Sequence, residues 1–262
     1  MSDVNTYKKL SSDKIIFYIR VAETIVEVHS LFQDSRTLCK NYLIEDDATG
    51  SAADFIIDIV PRNIRQENDE SQKILNTNSE SIYLYFNPGY METFAVHRKL
   101  CESIPKYGAF LMHGAVVAYK GFAYMFIAPS GTGKSTRVKL WIDEYPESIV
   151  VNGDKPFLRV TDKKVYAYGS PWCGKEHWNT NIGVPLKAMY LLERSDEDQL
   201  EEIPFKDAFA KLLNQTYIPS DPSSSLMTLS LLRRMSGKVQ IYRFRSTPTR
   251  TSVRYAYETA NL

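Results

Sequence analysis

Cysteine is scarce in this sequence: Cys39, Cys101 and Cys173 are the only three in 262 residues. At such wide spacing they build no disulfide framework and no zinc ligand set, so a reducing, cytoplasmic setting is expected. There is no run of about eighteen apolar residues, and the polar opening MSDVNTYKKLSSDK lacks an apolar stretch. The sequence therefore predicts neither a membrane span nor a signal peptide. An excess of one charge is missing too. Thirty-two Lys and Arg face thirty-one Asp and Glu, for a formal charge of +1, so nothing advertises nucleic acid or a membrane surface and partners must be read from local sites. With no internal repeat, a solenoid is not expected.

What is present is 44% apolar residues, enough to bury a sizeable core. Lys14 to His29, rich in Ile, Val, Phe and Tyr, predicts two short strands, and Asp54–Val60 a third closed by Pro61. The polar stretch Arg62 to Ser81 predicts a loop or a solvated helix. Ser81–Phe86 predicts a strand, and Asn87-Pro88 opens a helical pattern through Leu100 that ends before Pro105. In the second half, Ala109–Tyr119 and Phe122–Ile127 predict a hairpin about Lys120-Gly121. Ser135–Tyr145 has helical spacing, Ser148–Val151 reads as a strand, and Phe157–Val160 with Val165–Tyr168 as a further hairpin. Ala188–Leu192 and Val239–Phe244 predict strands; Phe205–Leu213, Ser225–Met235 and Thr249–Glu258 predict helices. The class expected is α/β, of the mixed α+β kind, since antiparallel hairpins argue against a purely parallel sheet. A division near Pro105 would separate an N-terminal region, 1–105, of unknown role from a chemistry-bearing region, 106–262.

The segment A-P-S-G-T-G-K-S-T, Ala128 to Thr136, matches G-x-x-x-x-G-K-[ST] at every fixed position but the first, where Ala128 replaces glycine. Gly131 and Gly133 let successive backbone N–H groups converge on an anion, and the helix starting near Lys134 adds its positive dipole end. Ser130, Thr132 and Thr136 complete the phosphate-binding stretch. Lys134 can neutralise the β- and γ-phosphates of ATP, and the Ser135 hydroxyl is placed to ligand magnesium. About twenty residues on, the apolar I-V-V-N-G-D-K-P ends in Asp154. In a nucleotide-binding sheet that acid would lie near the γ-phosphate, able either to hold magnesium or to accept a hydroxyl proton. Upstream, L-M-H-G places His113 one hairpin before the loop. A lone histidine is more often structural than functional.

Taken together, M-H-G, a hairpin, S-G-T-G-K-S and an apolar strand ending in Asp resemble the catalytic domain of HPr kinase/phosphorylase. The loop is also similar to the S-G-T-G-K-[ST]-T of phosphoenolpyruvate carboxykinases. The resemblance spans roughly Phe110 to Lys155. It implies a carboxykinase-like P-loop core with a mixed sheet, and an ATP- and magnesium-dependent kinase. By that resemblance Lys134 takes the phosphate, Ser135 the magnesium, His113 the place of the active-site histidine, and Asp154 that of the second acid of an Asp-Asp pair, the proton acceptor. The first acid of that pair is Gly153 here. The acceptor implied is a serine of a protein or peptide. Homo-oligomerisation is compatible with the resemblance.

The run Ala167 to Asn181, dense in glycine, aromatics and amides, is expected to line the acceptor side. There Lys175 could meet phosphate, Trp172 or Trp178 could cover a base or peptide, and Asn179 and Asn181 could order the loop. Cys173 and His177, four apart, could be half of a metal site, but no matching pair exists. Arg245, at the end of Y-R-F-R, with Arg250 and Arg254, could reach phosphate or sit on solvated surface. Two other functions compete with the protein kinase: a small-molecule phosphotransferase of the carboxykinase-like superfamily, and a nucleotide-binding regulator that has lost catalysis.

Overall fold

The computed structural model describes residues 14–44, 52–76 and 86–262. The strand expected at Ser81–Phe86 lies, apart from Phe86, outside them. The contacts divide the chain into two units, Met1–Ser103 and Ile104–Leu262. Together they are mixed α/β, with mixed sheets.

In the first unit the alternating run at Lys14–His29 becomes β1 (Ile15–Val21) and β2 (Thr24–Ser30), paired antiparallel. The two-residue turn between them holds Ala22 and Glu23 at φ 49° and 62°, the left-handed pair that matches the twist of a hairpin. Phe17, Ile19, Val21, Val26 and Val28 share the buried face. Adding β3 (Leu43–Ile44) and β4 (Phe55–Asp58) gives a sheet of order β3-β1-β2-β4, with β4 parallel to β2. Helices α1 (Gln33–Leu38), α2 (Pro61–Asn76) and α3 (Pro88–Ser103) accompany it. Pro61 ends the strand run and is also the first residue of α2, a place where its missing N–H costs nothing.

Helix α1 was not legible in the sequence, and the reason is a contact some sixty residues away. The Glu92 carboxylate on α3 is fully buried and accepts the N–H of Leu31 at 2.5 Å, the N–H of Phe32 at 3.2 Å and the Ser35 hydroxyl at 2.8 Å. It thus satisfies donors at the start of α1 that have no partner within the helix.

The second unit is built on β5 (Ala109–Leu111), β6 (Ala115–Tyr119), β7 (Phe122–Ile127), β8 (Ile149–Asn152), β9 (Phe157–Val160), β10 (Val165–Tyr168), β11 (Gly183–Arg194), β12 (Gln199–Glu202) and β13 (Gln240–Ser246). The apolar run expected as one strand over Ala109–Tyr119 is broken at Met112–Gly114. That stretch pairs elsewhere: Met112 N–H bonds Pro156 O at 3.3 Å and Gly114 N–H bonds Asp154 O at 3.0 Å. The path through the sheet is β5-β9-β10-β11-β7-β6-β8, and β13 flanks β11 on its other edge and carries β12. β11 is longer than the predicted Ala188–Leu192. Its start pairs antiparallel with β10, and the rest runs parallel to both β7 and β13.

Alternation along the central strands supplies two apolar faces. Met125, Met189, Leu191 and Ile241 pack with α5 (Phe205–Gln215) and α6 (Pro222–Arg234), while Tyr124, Phe126, Tyr190 and Phe244 pack with Trp141 of α4 (Lys134–Glu144) and Val253 of α7 (Arg250–Thr259). Helices therefore cover both faces of the parallel trio β7, β11 and β13, as such strands require. Among the described residues no helix is long and apolar enough to cross a membrane.

Candidate functional site

Strand β7 is buried from Ala123 onward and delivers the chain at Ala128 into the glycine loop. Gly131 and Gly133 have φ 77° and 111°, which L side chains rarely adopt, and Gly133 is the N-cap of α4. Because no side chain caps this end, the first N–H groups of α4 remain open to an anion. Lys134 is buried, and its ammonium folds back on the loop, donating to Ala128 O at 2.8 Å and to Pro129 O at 3.4 Å. Burial pulls its pKa down, while the Asp154 charge acts the other way. Arg194, at the end of β11, donates to Gly131 O at 2.9 Å. Ser135 is half-buried and its hydroxyl makes no hydrogen bond among the described residues; Ser130 and Thr136 are exposed, Thr132 half-buried.

Asp154 lies two residues past the end of β8, and a fully buried amide sets its position. Asn152 accepts the N–H of Asp154 at 2.9 Å and of Lys155 at 2.7 Å, closing a tight turn. The other end of the same side chain donates to Ser170 O at 3.1 Å and Trp172 O at 3.2 Å. Asp154 Oδ1 then meets His113 Nε2 at 2.9 Å, and Oδ2 lies 3.8 Å from Lys155 Nζ. Burial would raise the Asp154 pKa, but the His113 hydrogen bond and the charges of His113, Lys155 and Lys134 outweigh it and hold the carboxyl below its ordinary range. His113 is anchored in turn by Gln215 at the end of α5: its N–H donates to Gln215 O at 2.7 Å, and Nδ1 faces Gln215 Oε1 at 3.0 Å. The structure thus gathers His113, Lys134 and Asp154 into one electrostatically coupled group. Asn152 and Gln215 support it and were not singled out from the sequence; a buried Asn two residues before the acid was the available signal.

Gly153 has a physical reason to lack a side chain. A Cβ there would lie 3.1 Å from Cys173 O, and its N–H bonds Trp178 O at 2.9 Å. The run Ala167 to Asn181 therefore closes directly over this strand end, with Thr180 N–H also bonded to Val151 O at 3.1 Å. Within the run Trp172 is buried, so its indole belongs to the interior and presents no open platform. Trp178 is half-buried beneath the Lys139 ammonium, 5.9 Å from the ring centre. Lys175 is exposed on the turn that follows Gly174. Asn179 donates to Cys173 Sγ at 3.0 Å, and burial pushes that thiol's pKa up. Among the described residues no group of three His, Cys, Asp or Glu side chains could hold a metal, so Cys173 and His177 gain no partners there. None of the three cysteines is in a disulfide, and all three are buried.

Beside the glycine loop lies a cavity of about 540 Å³, walled by Gly131–Gly133, Thr136, Leu192–Asp196 and Ser246–Pro248. One of its walls is pinned by Arg137 of α4, which is buried and donates to Ser246 O at 3.2 Å and to the hydroxyls of Ser246 and Ser252. Burial lowers its pKa to about 10, against the pull of Asp198. The arginines flagged in the sequence form ion pairs. Arg245 pairs with Glu193 at 3.0 Å, Arg250 with Asp143 at 3.7 Å and Arg254 with Glu144, tying β13 to β11 and α7 to the end of α4.

Compared with protein-family models the chain matches none, and no curated protein matches it.

Proposed function

We propose that the chain is an ATP- and magnesium-dependent kinase with a carboxykinase-like P-loop core, transferring the γ-phosphoryl group to a serine hydroxyl of a protein or peptide. The observation that carries this reading is Asp154, its backbone fixed by Asn152 and its carboxylate held by His113, within the electrostatic reach of the Lys134 ammonium of a glycine loop. The triphosphate would lie across the N–H groups of Gly131, Gly133, Lys134 and Ser135, with the nucleoside directed into the 540 Å³ cavity beside them. Lys134 would exchange its two loop carbonyls for phosphate oxygens, an exchange that suits a cation already partly stripped of water.

The donor set fits magnesium, which takes few protein ligands and leaves the rest to phosphates and water. Ser135 and Asp154 would hold it, and it would neutralise charge on the β- and γ-phosphates. Asp154 would also accept the proton of the acceptor hydroxyl as the serine oxygen bonds to phosphorus and the bond to the ADP oxygen breaks. His113 keeps the carboxylate ionised and aimed. With glycine at 153, one carboxylate serves both roles.

The test is incubation of the purified protein with γ-labelled ATP, magnesium and cell extract, beside Lys134→Ala and Asp154→Asn. Wild type should label a protein or peptide. Asp154→Asn should still bind ATP but lose about 10²-fold or more of the transfer. Retained turnover in that variant removes Asp154 as the base. Binding of ATP with no transfer to any protein, peptide or metabolite would instead favour the regulator, for which the single carboxylate at Gly153-Asp154 is the motivating feature.

A further inference from the structure

Helices α5 and α6 leave an open groove of about 700 Å³ between them. Phe209, Leu213, Leu226 and Leu229 line it, and Leu226 is 68% exposed. Two cations, Arg233 and Arg234, stand at the end of α6, and no acidic side chain lines the groove. Among the described residues Arg234 pairs with Asp162, 3.1 Å away and almost wholly exposed, a pair worth about 0–1 kcal/mol that a partner could replace at little cost. Arg233 has no ion-pair partner among the described residues. An apolar trough ending in two arginines complements an amphipathic segment whose apolar side chains recur along one face and whose carboxylates lie at one end.

The same helix connects this groove to the reacting group. Gln215, the last residue of α5, holds His113 by both its backbone and its side chain, and His113 holds Asp154. Leu213 is only two residues before it.

We infer that the groove between α5 and α6 docks an acidic, amphipathic segment of the acceptor polypeptide, presenting a neighbouring serine to Asp154; this rests on the kinase reading above. Docking apart from the reacting residues would let the chain select its substrate by a segment that is never phosphorylated.

The test separates docking from catalysis. A displayed library of random peptides of about sixteen residues is panned on the full chain without nucleotide, long enough for four helical turns. Enriched peptides should combine Asp or Glu with apolar residues three and four apart. One of them, fluorescently labelled, should bind at least about tenfold more weakly to Arg233→Glu and to Leu226→Ser, each checked for an unchanged melting temperature, and should retain binding to Arg233→Lys. Enriched peptides without acids, or affinities indifferent to both substitutions, overturn the inference. A concentration-dependent dimer abolished by Leu226→Ser would also overturn it, by giving the groove to a second copy of the chain. ATP binding is measured separately on the same samples. Intact ATP binding without peptide selectivity defeats the docking claim alone, whereas selective peptide binding with no ATP binding defeats the kinase reading on which it rests.

Discussion

The Asn152 side chain accepts the backbone N–H of Asp154 at 2.9 Å while its amide group is held by the carbonyls of Ser170 and Trp172. A buried amide therefore sets the aim of the acid, and its removal takes a partner from the N–H groups of Asp154 and Lys155 and from the Ser170 carbonyl, while the Trp172 carbonyl keeps the Ser170 hydroxyl. Asn152→Ala should lower stability by about 3 kcal/mol, as unsatisfied buried groups cost roughly 1–3 kcal/mol each, readable in urea unfolding. At a temperature where the variant is folded, transfer should fall while the KM for ATP changes little, because the glycine loop is untouched. Equal losses in both would mean that Asn152 only supports the fold.

His113 offers a pH signature. In the folded chain the Asp154 pKa lies below 3.8 because His113, Lys155 and Lys134 together outweigh burial. A carboxyl depressed in this way adds stability above its unfolded pKa and loses it as pH falls through the folded value. In His113→Ala burial meets weaker opposition, so the folded pKa rises. The acid limb of transfer rate against pH should move to higher pH, and the stability lost on acidification should be smaller and complete at a higher pH. A limb that stays in place would show that the ionisation of Asp154 does not govern turnover.

Gly153→Asp would write the missing acid back into the chain, yet the tertiary structure opposes it. The new Cβ would lie 3.1 Å from Cys173 O, so the covering run must shift. A loss of about 1–3 kcal/mol in stability is expected, the usual cost of overpacking, with no gain in transfer. Unchanged stability with higher activity would mean that the run over β8 yields freely.

Glu92 gives a fourth check, in the first unit. Burial raises its pKa above 4.5 despite three donors. The folded state therefore holds the proton more tightly than the unfolded chain, and stability falls as pH rises from the unfolded pKa through the folded one. Glu92→Gln should remove that slope. At neutral pH it should also cost about 1–3 kcal/mol, since one amide oxygen cannot serve donors from Leu31, Phe32 and Ser35 together. Unfolding curves for the two proteins across mildly acidic pH decide it.

Much of the element order was legible because it is encoded locally. The hairpin before the glycine loop follows from apolar runs either side of Lys120-Gly121, and the helices at Phe205–Gln215 and Arg250–Thr259 from their spacing. Local pattern failed where a distant group decided the conformation. The break at Met112–Gly114 exists because that stretch bonds residues 154–156, and α1 is held by a carboxylate on α3. β12, only four mostly exposed residues, has no apolar pattern to announce it and takes its place by pairing with β13.

The sequence by itself determined the glycine loop, since its backbone freedom and its lysine are properties of adjacent residues. Only the tertiary structure decided what surrounds it. Asp154 meets His113, and His113 meets Gln215, across 41 and 102 residues, distances over which no periodicity carries information. The same holds for the carbonyl that crowds Gly153 and for Arg194 and Arg137 around the cavity. Side chains from separate elements converge there because packing of the two sheet faces brings strand ends together, and that convergence is a property of the fold.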